Sequence, residues 1–170
     1  MATRINYLNC KSKGHRKREE EEKMKVYVAG ESVQHRYATE VMDGLENSGH
    51  VVTHRWDNSA RFFYQNTLAI GIKLTELEAA GIARECLLAI DQSDVFVLLH
   101  GIYHGCGSGK WVELGYAFAR MKRIVLFVEN AGEVETKNCF LFLPGIEVVA
   151  GRPALINRLK EIEQEVIANG

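Results

Sequence analysis

HGIYHGCGSGKWVELGYAFA, the stretch from His100 to Ala119, decides the fold of this chain. The apolar run before it, from Val95 to Leu99, has the length and the composition of a buried strand. Glycines then allow the backbone to turn sharply and to approach a ligand closely; they are Gly105, Gly107 and Gly109. We expect a helix after this turn. The turn would then lie at the carboxyl edge of a sheet, where open α/β folds bind ligands.

The predicted helix has apolar residues at spacings of three and four, which is typical of an amphipathic helix. They form two sets: Val112, Tyr116 and Ala119, and Leu114, Phe118 and Met121. Glu113 lies in the first turn or just beyond it, at the edge of this apolar stripe, where the helix dipole favours an ionised carboxylate. Such a carboxylate either attacks an electrophilic sugar carbon, or binds ribose hydroxyls, or is only a favourable acid in a first turn. Spacing alone leaves these alternatives open.

Length and composition predict one α/β domain with a sizeable core, because the chain has 170 residues of which 46% are hydrophobic. Residues 1–23 differ: KSKGHRKREEEEK is a basic block followed by an acidic one, which predicts a mobile arm or a solvated helix ahead of a domain at 24–170. The net charge of -1 gives no reason to expect nucleic acid or an anionic membrane as partner, so a small molecule is expected.

The chain has no apolar run long enough for a membrane span and no apolar segment typical of a signal peptide near residue 1. We therefore expect a soluble, cytoplasmic protein. Its four cysteines have no CxxC spacing, which predicts free thiols.

The pattern along the chain predicts strands that alternate with helices. The strands are expected at Lys25–Ala29, His50–Arg55, Asp94–Leu99, Ile124–Val128 and Ile146–Val149. The other helices are expected at about Tyr37–Asn47, at Glu76–Gln92 and from near Pro153 to Ile167. This alternation predicts a doubly wound five-stranded parallel sheet in the order 2-1-3-4-5. The segment Asp57–Lys73 is aromatic and basic, and is either a lid or a short helix packed on the core.

Several polar residues near the predicted loops have two interpretations each. His100, His104 and Cys106 do not have the spacing of a recognised zinc site and lack a fourth ligand, so we expect no metal and no cofactor. We expect these three residues either to line the substrate pocket, His100 among them as a binding residue, or to lie in the loop. Ser108 is either a helix cap or a binder of a phosphate or hydroxyl. The backbone of Gly107 and Gly109 is suited to binding an anion.

Ser32, His35 and Arg36, in the loop after the first strand, either hold a phosphate or a base edge, or are exposed to solvent. Asp91 and Asp94 are most simply residues that end a helix and start a strand. The dinucleotide fingerprint is absent from the first turn.

Three stretches together resemble the nucleoside 2-deoxyribosyltransferase family, which includes deoxynucleoside 5′-monophosphate N-glycosidases. They are KVYVAG from Lys25, RECLLAIDQSDVFVLL from Arg84 and GSGKWVELGYAFARMKRIVLF from Gly107. The similarity covers most of Lys25 to Val128, and GxxxxELGYA is its most specific part. It implies a flavodoxin-like fold and cleavage of an N-glycosidic bond, with transfer of the deoxyribosyl group to another base or to water.

The resemblance also implies roles for single residues. Glu113 matches the family's nucleophile, which forms a covalent glycosyl intermediate, and Tyr27 and Gly30 match positions that shape the sugar and base pocket. Asn138 resembles an Asn that reaches a neighbouring subunit's site, which implies a homodimer or a higher homo-oligomer.

The chain also departs from the family pattern. An Asp that helps to protonate the base is replaced by Cys86, with Glu85 beside it, and Gly107 stands where the family has an acidic residue or Ser. The base's proton would then come from Glu85, from Asp94 or from a histidine of the glycine-rich loop. A monophosphate substrate would require a phosphate site near Ser32, Arg36 or Ser108. A protein that binds a nucleotide without cleaving it is the alternative from another class.

Overall fold

The computed structural model of this chain describes residues 23–58, 74–101, 109–132 and 139–169. Within these ranges, five parallel strands form one sheet in the order β2-β1-β3-β4-β5, as predicted. The strands are β1 (Lys25–Ala29), β2 (Val51–Val52), β3 (Val95–Leu99), β4 (Arg123–Val128) and β5 (Ile146–Ala150). The charged arm, apart from Lys23, and most of Asp57–Lys73 lie outside the described residues.

Helices cover both faces of the sheet. They are α1 (His35–Asn47), α2 (Glu76–Gln92), α3 (Gly109–Ala119) and α4 (Arg152–Asn169), with short 3-10 helices at Ser32–Gln34 and Cys139–Phe142. None of the helices in the described ranges is long and apolar enough to cross a membrane.

Alternate residues of the central strands point to opposite faces, so the sheet has two hydrophobic cores. On one face, Val26, Val97 and Phe127 pack with the buried sides of α1 and α4. On the other face, Tyr27 and Phe96 pack with α2 and α3. The site helix α3 thus lies over the face of β1 that carries Tyr27.

Local signals in the sequence determine several helix ends. Thr75 and Glu78 form the predicted capping box: the Glu78 N–H donates to the Thr75 hydroxyl (3.3 Å), and the Thr75 N–H donates to the Glu78 carboxylate (2.8 Å). Gly49 follows α1 with a φ of 98°, a conformation that glycine adopts at little cost.

The structure differs from the predictions at β2, which is only Val51–Val52 instead of His50–Arg55. The chain turns away after Thr53, where the Thr53 N–H still donates to the Val26 carbonyl oxygen. At Trp56 the indole Nε1 donates to the Val28 carbonyl oxygen (2.6 Å), so the ring folds back over the end of β1.

Only part of the predicted apolar stripe of α3 is buried. Leu114 and Ala117 are buried, whereas Val112, Phe118 and Met121 are exposed. The helix carries apolar residues around most of its circumference, so spacing alone did not determine which side faces the sheet.

The order of the strands places a crevice at β1. The chain runs from β1 outward to β2 on one side, and the later strands β3, β4 and β5 lie on the other side. In open α/β sheets, ligands bind outside the carboxyl ends of the strands at such a reversal point. The loop after β1 and the start of α3 border this point.

Candidate active site

Glu113 lies one turn into α3, on the side that faces the sheet, and its side chain is half-buried. Its carboxyl group interacts with the hydroxyl of Tyr27 and the thiol of Cys86. Burial raises the pKa of Glu113, and hydrogen bonds from Tyr27 and Cys86 partly oppose this rise. The structure therefore brings a poorly solvated carboxylate together with two donors, each from a different element.

Tyr27 is supplied by the middle of β1, and its residue is fully buried. Its ring stacks on the ring of Phe96 in the neighbouring strand, with centroids 5.6 Å apart. Burial raises the pKa of Tyr27 far above its ordinary value, and the nearby Glu113 and Cys86 raise it further. The hydroxyl is buried and lies near enough to Glu113 and Cys86 to interact with both. Tyr27 is thus a fixed, protonated donor beside the Glu113 carboxyl.

Cys86 is supplied by α2 and is a half-buried free thiol. Burial raises the pKa of Cys86, and the Glu113 carboxylate raises it further, while a hydrogen bond with Tyr27 lowers it. The thiol is therefore a neutral neighbour of the carboxyl group rather than a nucleophile of its own. The position at which the sequence departs from the family pattern is thus in contact with Glu113.

Glu85, the neighbour of Cys86, is exposed on α2. It interacts electrostatically with Cys86 and with His54, which follows β2. Burial lowers the pKa of His54, and the negative charge of Glu85 partly opposes this shift. His54 has no signal of its own in the sequence, because nothing there shows that this loop comes close to α2.

Gly30 forms part of the crevice at the end of β1. A Cβ atom at this position would lie 3.1 Å from the Trp56 ring and 3.3 Å from the Leu99 side chain. Any larger residue would have to displace the indole. Arg55 holds the segment around Trp56 by bonding the buried carboxylate of Asp57 (Nη2 to Oδ2, 2.8 Å). The crevice thus has a fixed aromatic wall on its β2 side.

Four other predicted site residues lie in the loops and turns after β1 and β3 or at the start of α3. Ser32 and Arg36 are exposed on the first turns after β1. His100 follows β3 and is half-buried, with its ring edge against Trp111 at 6.2 Å. Gly109 is the first residue of α3, and among the described residues beyond its own helical turn no atom lies within 4 Å of the place where its Cβ would be.

Asp94 is not brought to this site. It precedes β3 at the amino edge of the sheet, and its Oδ2 accepts a hydrogen bond from the backbone N–H of Lys25 (2.7 Å). Gly107, Ser108 and Asn138 lie outside the described residues, as do His104 and Cys106.

A buried ion pair beside the crevice was missed by the sequence analysis. The Nζ of Lys110, in the first turn of α3, lies 2.6 Å from Oε1 of Glu31, which directly follows Gly30. Each side chain is only 4% exposed. The Glu31 N–H also donates to Oε1 of Gln34 (3.3 Å). Glu31 and Lys110 are distant in sequence and give no local signal, so only the folded chain shows that they pair.

Metal-ligating residues do not cluster within the described ranges. No group of three or more His, Cys, Asp and Glu side chains there is arranged to hold an ion. The arrangement that the described residues do form is suited to nucleophilic attack by a carboxylate, assisted by neutral hydrogen-bond donors.

Comparison with known proteins finds likeness in structure only. No protein-family model matches the sequence, and no curated protein matches it either. Among solved structures, the CMP N-glycosidase BcmB of Clostridium botulinum is similar, with a TM-score of 0.50 and 15% sequence identity. The match covers 80% of this chain and 98% of that one. The flavodoxin-like fold implied by the family resemblance is therefore confirmed: this chain has a doubly wound α/β architecture similar to that of this neighbour.

Proposed function

We propose that this protein cleaves the N-glycosidic bond of a nucleoside or nucleotide and passes the deoxyribosyl group to another nucleobase or to water. The observation that carries the proposal is the placement of the Glu113 carboxyl beside Tyr27 and Cys86, at the start of the helix that follows the central strand. The sequence pattern GxxxxELGYA around Glu113 supports the proposal, as does the likeness in fold to an enzyme named for cleaving such a bond.

In the first step, a carboxylate oxygen of Glu113 attacks the anomeric carbon of the sugar. A C–O bond forms, the C–N bond to the base breaks, and its electron pair stays on the base nitrogen, which takes up a proton. The product is a glycosyl ester of Glu113. Because burial raises the pKa of Glu113, its carboxylate is poorly solvated and is a better nucleophile than an exposed one.

Tyr27 orients this nucleophile. Its hydroxyl stays protonated at neutral pH, because burial raises its pKa above the ordinary value. It therefore donates to Glu113 and cannot compete as an anion for the sugar. Stacking on Phe96 fixes the ring, so the donor is in place before substrate arrives.

In the second step, the nitrogen of an acceptor base or the oxygen of a water molecule attacks the same sugar carbon. The ester C–O bond breaks, the Glu113 carboxylate is regenerated and the acceptor loses its proton. Transfer and hydrolysis differ only in the acceptor. We propose transfer as the main reaction, and hydrolysis of a nucleoside monophosphate as the alternative outcome of the same chemistry.

The departing base needs a proton, and Glu85 is the acid that we propose for it. Glu85 lies on α2 next to Cys86 and close enough to His54 to affect its pKa, whereas Asp94 lies at the opposite edge of the sheet. A positioned general acid contributes about a hundredfold to the rate or more.

A second candidate function is binding of a nucleotide without cleavage. The observation that favours it is Cys86, a thiol of raised pKa in direct contact with Glu113 where the family pattern has an acid. Calorimetry combined with an assay for released base separates the two functions. A protein that only binds the nucleotide gives tight association without product.

We expect the protein to act on a small molecule in the cytoplasm as a homodimer or larger homo-oligomer. The described part of α2 and α3 exposes Leu77 (84%), Val112 (67%) and Phe118 (42%), which supports association through this side of the molecule. Light scattering on the purified chain measures the subunit number.

The experiment that tests the proposed function is release of free base, followed by chromatography, from a panel of nucleosides with and without a second base as acceptor. Glu113→Gln is expected to abolish release, with Glu161→Gln as the matched control. Glu161 is an exposed glutamate of α4, on the other side of the sheet. Undiminished release by the Glu113 variant would refute the assignment.

A further inference from the structure

The ion pair of Glu31 and Lys110 occupies the position in which α/β proteins commonly bind an anionic group. Lys110 lies in the first turn of α3, where the helix dipole is positive and disfavours a cation. An anion at this end of a helix is favoured, and phosphate groups of ligands often bind there. In this chain the anion is the protein's own: Oε1 of Glu31 lies 2.6 Å from the Lys110 Nζ.

This pair is close to the proposed nucleophile. Lys110 is three residues before Glu113, so the two side chains leave α3 on the same side, one turn apart. Glu31 directly follows Gly30, at the crevice beside Trp56. Beyond Glu113, α3 continues into the core through Leu114 and Ala117. A sugar whose anomeric carbon faces Glu113 can therefore place its 5′ end on the Glu31 and Lys110 side, one helical turn away.

We propose that Glu31 selects a substrate without a 5′-phosphate, so that the substrate class is the nucleoside rather than the nucleoside monophosphate. This inference rests on the proposed function. A phosphate at the start of α3 would face the Glu31 carboxylate, and the charge of Lys110 that would attract it is already neutralised. Like charges brought together in a site from which water is excluded repel strongly.

The hydrogen-bonding groups of Glu31 and Gln34 also favour a substrate without a 5′-phosphate. Oε2 of Glu31 and Nε2 of Gln34 are both buried and have no hydrogen-bond partner among the residues that the structure describes. A buried acceptor and a buried donor without partners are costly, and a ligand that pairs with them is favoured. A sugar hydroxyl donates one hydrogen bond and accepts others, so it suits both groups. A phosphate dianion has no proton to donate to Glu31.

Other cations at the same edge of the sheet are also matched with carboxylates. Arg55 bonds Asp57, Asp43 and Glu46, and Arg152 bonds Glu40 and Glu129. Arg36, one of the predicted phosphate binders, is exposed to solvent. Arg55 and Arg152 are thus already neutralised by carboxylates, as expected beside a site that receives an uncharged sugar.

The test compares each nucleoside with its own 5′-monophosphate, base by base, on the wild-type chain. We expect kcat/KM for base release to be at least about tenfold higher for the nucleosides, which corresponds to a difference of about 1.4 kcal/mol. Inorganic phosphate at millimolar concentration is expected not to inhibit. A preference for the monophosphates overturns the inference and leaves the proposed function intact. Absence of base release from both classes refutes the proposed function and this inference with it.

Two variants separate selection by charge from a structural role. Glu31→Gln frees the charge of Lys110, so the ratio of kcat/KM is expected to shift toward the monophosphates. Lys110→Met leaves Glu31 unneutralised, so the ratio is expected to shift further toward the nucleosides. An equal loss on both substrate classes in both variants would show a purely structural pair and overturn the inference. Where a variant does not fold, the wild-type comparison decides alone.

Discussion

The Glu113 carboxyl and the Tyr27 hydroxyl interact across the space between α3 and β1, and the interaction shifts their pKa values in opposite directions. It lowers the pKa of Glu113, against the larger effect of burial, and it raises the pKa of Tyr27. The carboxylate is thus stabilised by a donor that does not ionise. The predictions below depend on this pairing and on the burial of both groups.

Replacing Tyr27 by Phe is expected to lower kcat/KM by about tenfold, because the carboxylate loses a charge-assisted hydrogen bond. The Glu113 nucleophile acts ionised, and its pKa is already raised, so activity is expected to fall with decreasing pH above the usual range for Glu. In Tyr27→Phe this acidic limb moves to still higher pH. Profiles of kcat/KM against pH measure the shift.

Tyr116→Phe is the control for that measurement. Its hydroxyl donates to Asp91 (2.9 Å) near the other end of α3. In Tyr116→Phe the acidic limb of the kcat/KM profile is expected to stay at the pH found for the wild-type protein. An acidic limb that does not move in Tyr27→Phe would show that the hydroxyl does not act on Glu113.

Glu113→Gln is expected to stabilise the fold at neutral pH. Because the folded-state pKa of Glu113 is raised, its contribution to stability is fully present below the unfolded value and is lost as pH rises through the folded value. Glutamine does not ionise, so the variant does not lose this stability as the pH rises. Thermal unfolding of both proteins is expected to show a Tm advantage for the variant at pH 7 to 8, and little difference at pH 4. An equal difference at both pH values would contradict the burial of an ionisable group at this position.

The Cys86 thiol reports on the same geometry without any substrate. Glu113 raises its pKa through charge and hydrogen bonding, so Glu113→Gln is expected to lower this pKa and to speed alkylation of Cys86 at pH 8 several-fold. Peptide mass spectrometry measures the rate, with the exposed Cys139 as internal reference. If Glu113→Gln changes the alkylation rate of Cys86 only as much as that of Cys139, the side chains of Glu113 and Cys86 are not in contact.

His50, far from the site, is expected to make the protein sensitive to acid. Both of its ring nitrogens are buried and have no hydrogen-bond partner in the described part of the chain. Burial lowers the pKa of His50, while the charge of Glu163 raises it and that of Lys160 lowers it. A lowered folded-state pKa means that stability is present above the unfolded value of about 6.5 and is lost as pH falls. His50→Leu is expected to raise Tm and to flatten the loss between about pH 7 and 5. Calorimetric unfolding that shows the same acid loss in both proteins would contradict this.

The fold could be predicted from the sequence because its signals are local. The apolar runs, the capping box at Thr75 and Glu78, the glycine after α1 and Pro153 in the first turn of α4 gave the elements and their alternation. The alternation of strands and helices then restricts the sheet to few orders. Strand β2 was overestimated because Trp56 turns back to bond Val28, a contact between distant residues.

The site could be predicted only in part, because contacts between residues distant in sequence leave no local signal. Glu113 was indicated by the glycine-rich turn before its helix, Tyr27 only by the family resemblance, and the structure brings them together. The pairing of Glu31 with Lys110 and the approach of His54 to Glu85 depend on how separate loops meet, which has no periodic signature. Asp94 looked suitable by residue type, but the direction of β3 places it at the opposite edge.

The central claim is that Glu113 bonds covalently to the sugar, and trapping that bond tests it most directly. The chain is mixed with a nucleoside, quenched in acid within one turnover, digested and analysed by mass spectrometry. We predict that the peptide containing Glu113 gains the mass of the sugar less one water, and that the gain disappears when an acceptor base is added before quenching. Base release without any such adduct on Glu113, or an adduct on another residue, would contradict the account.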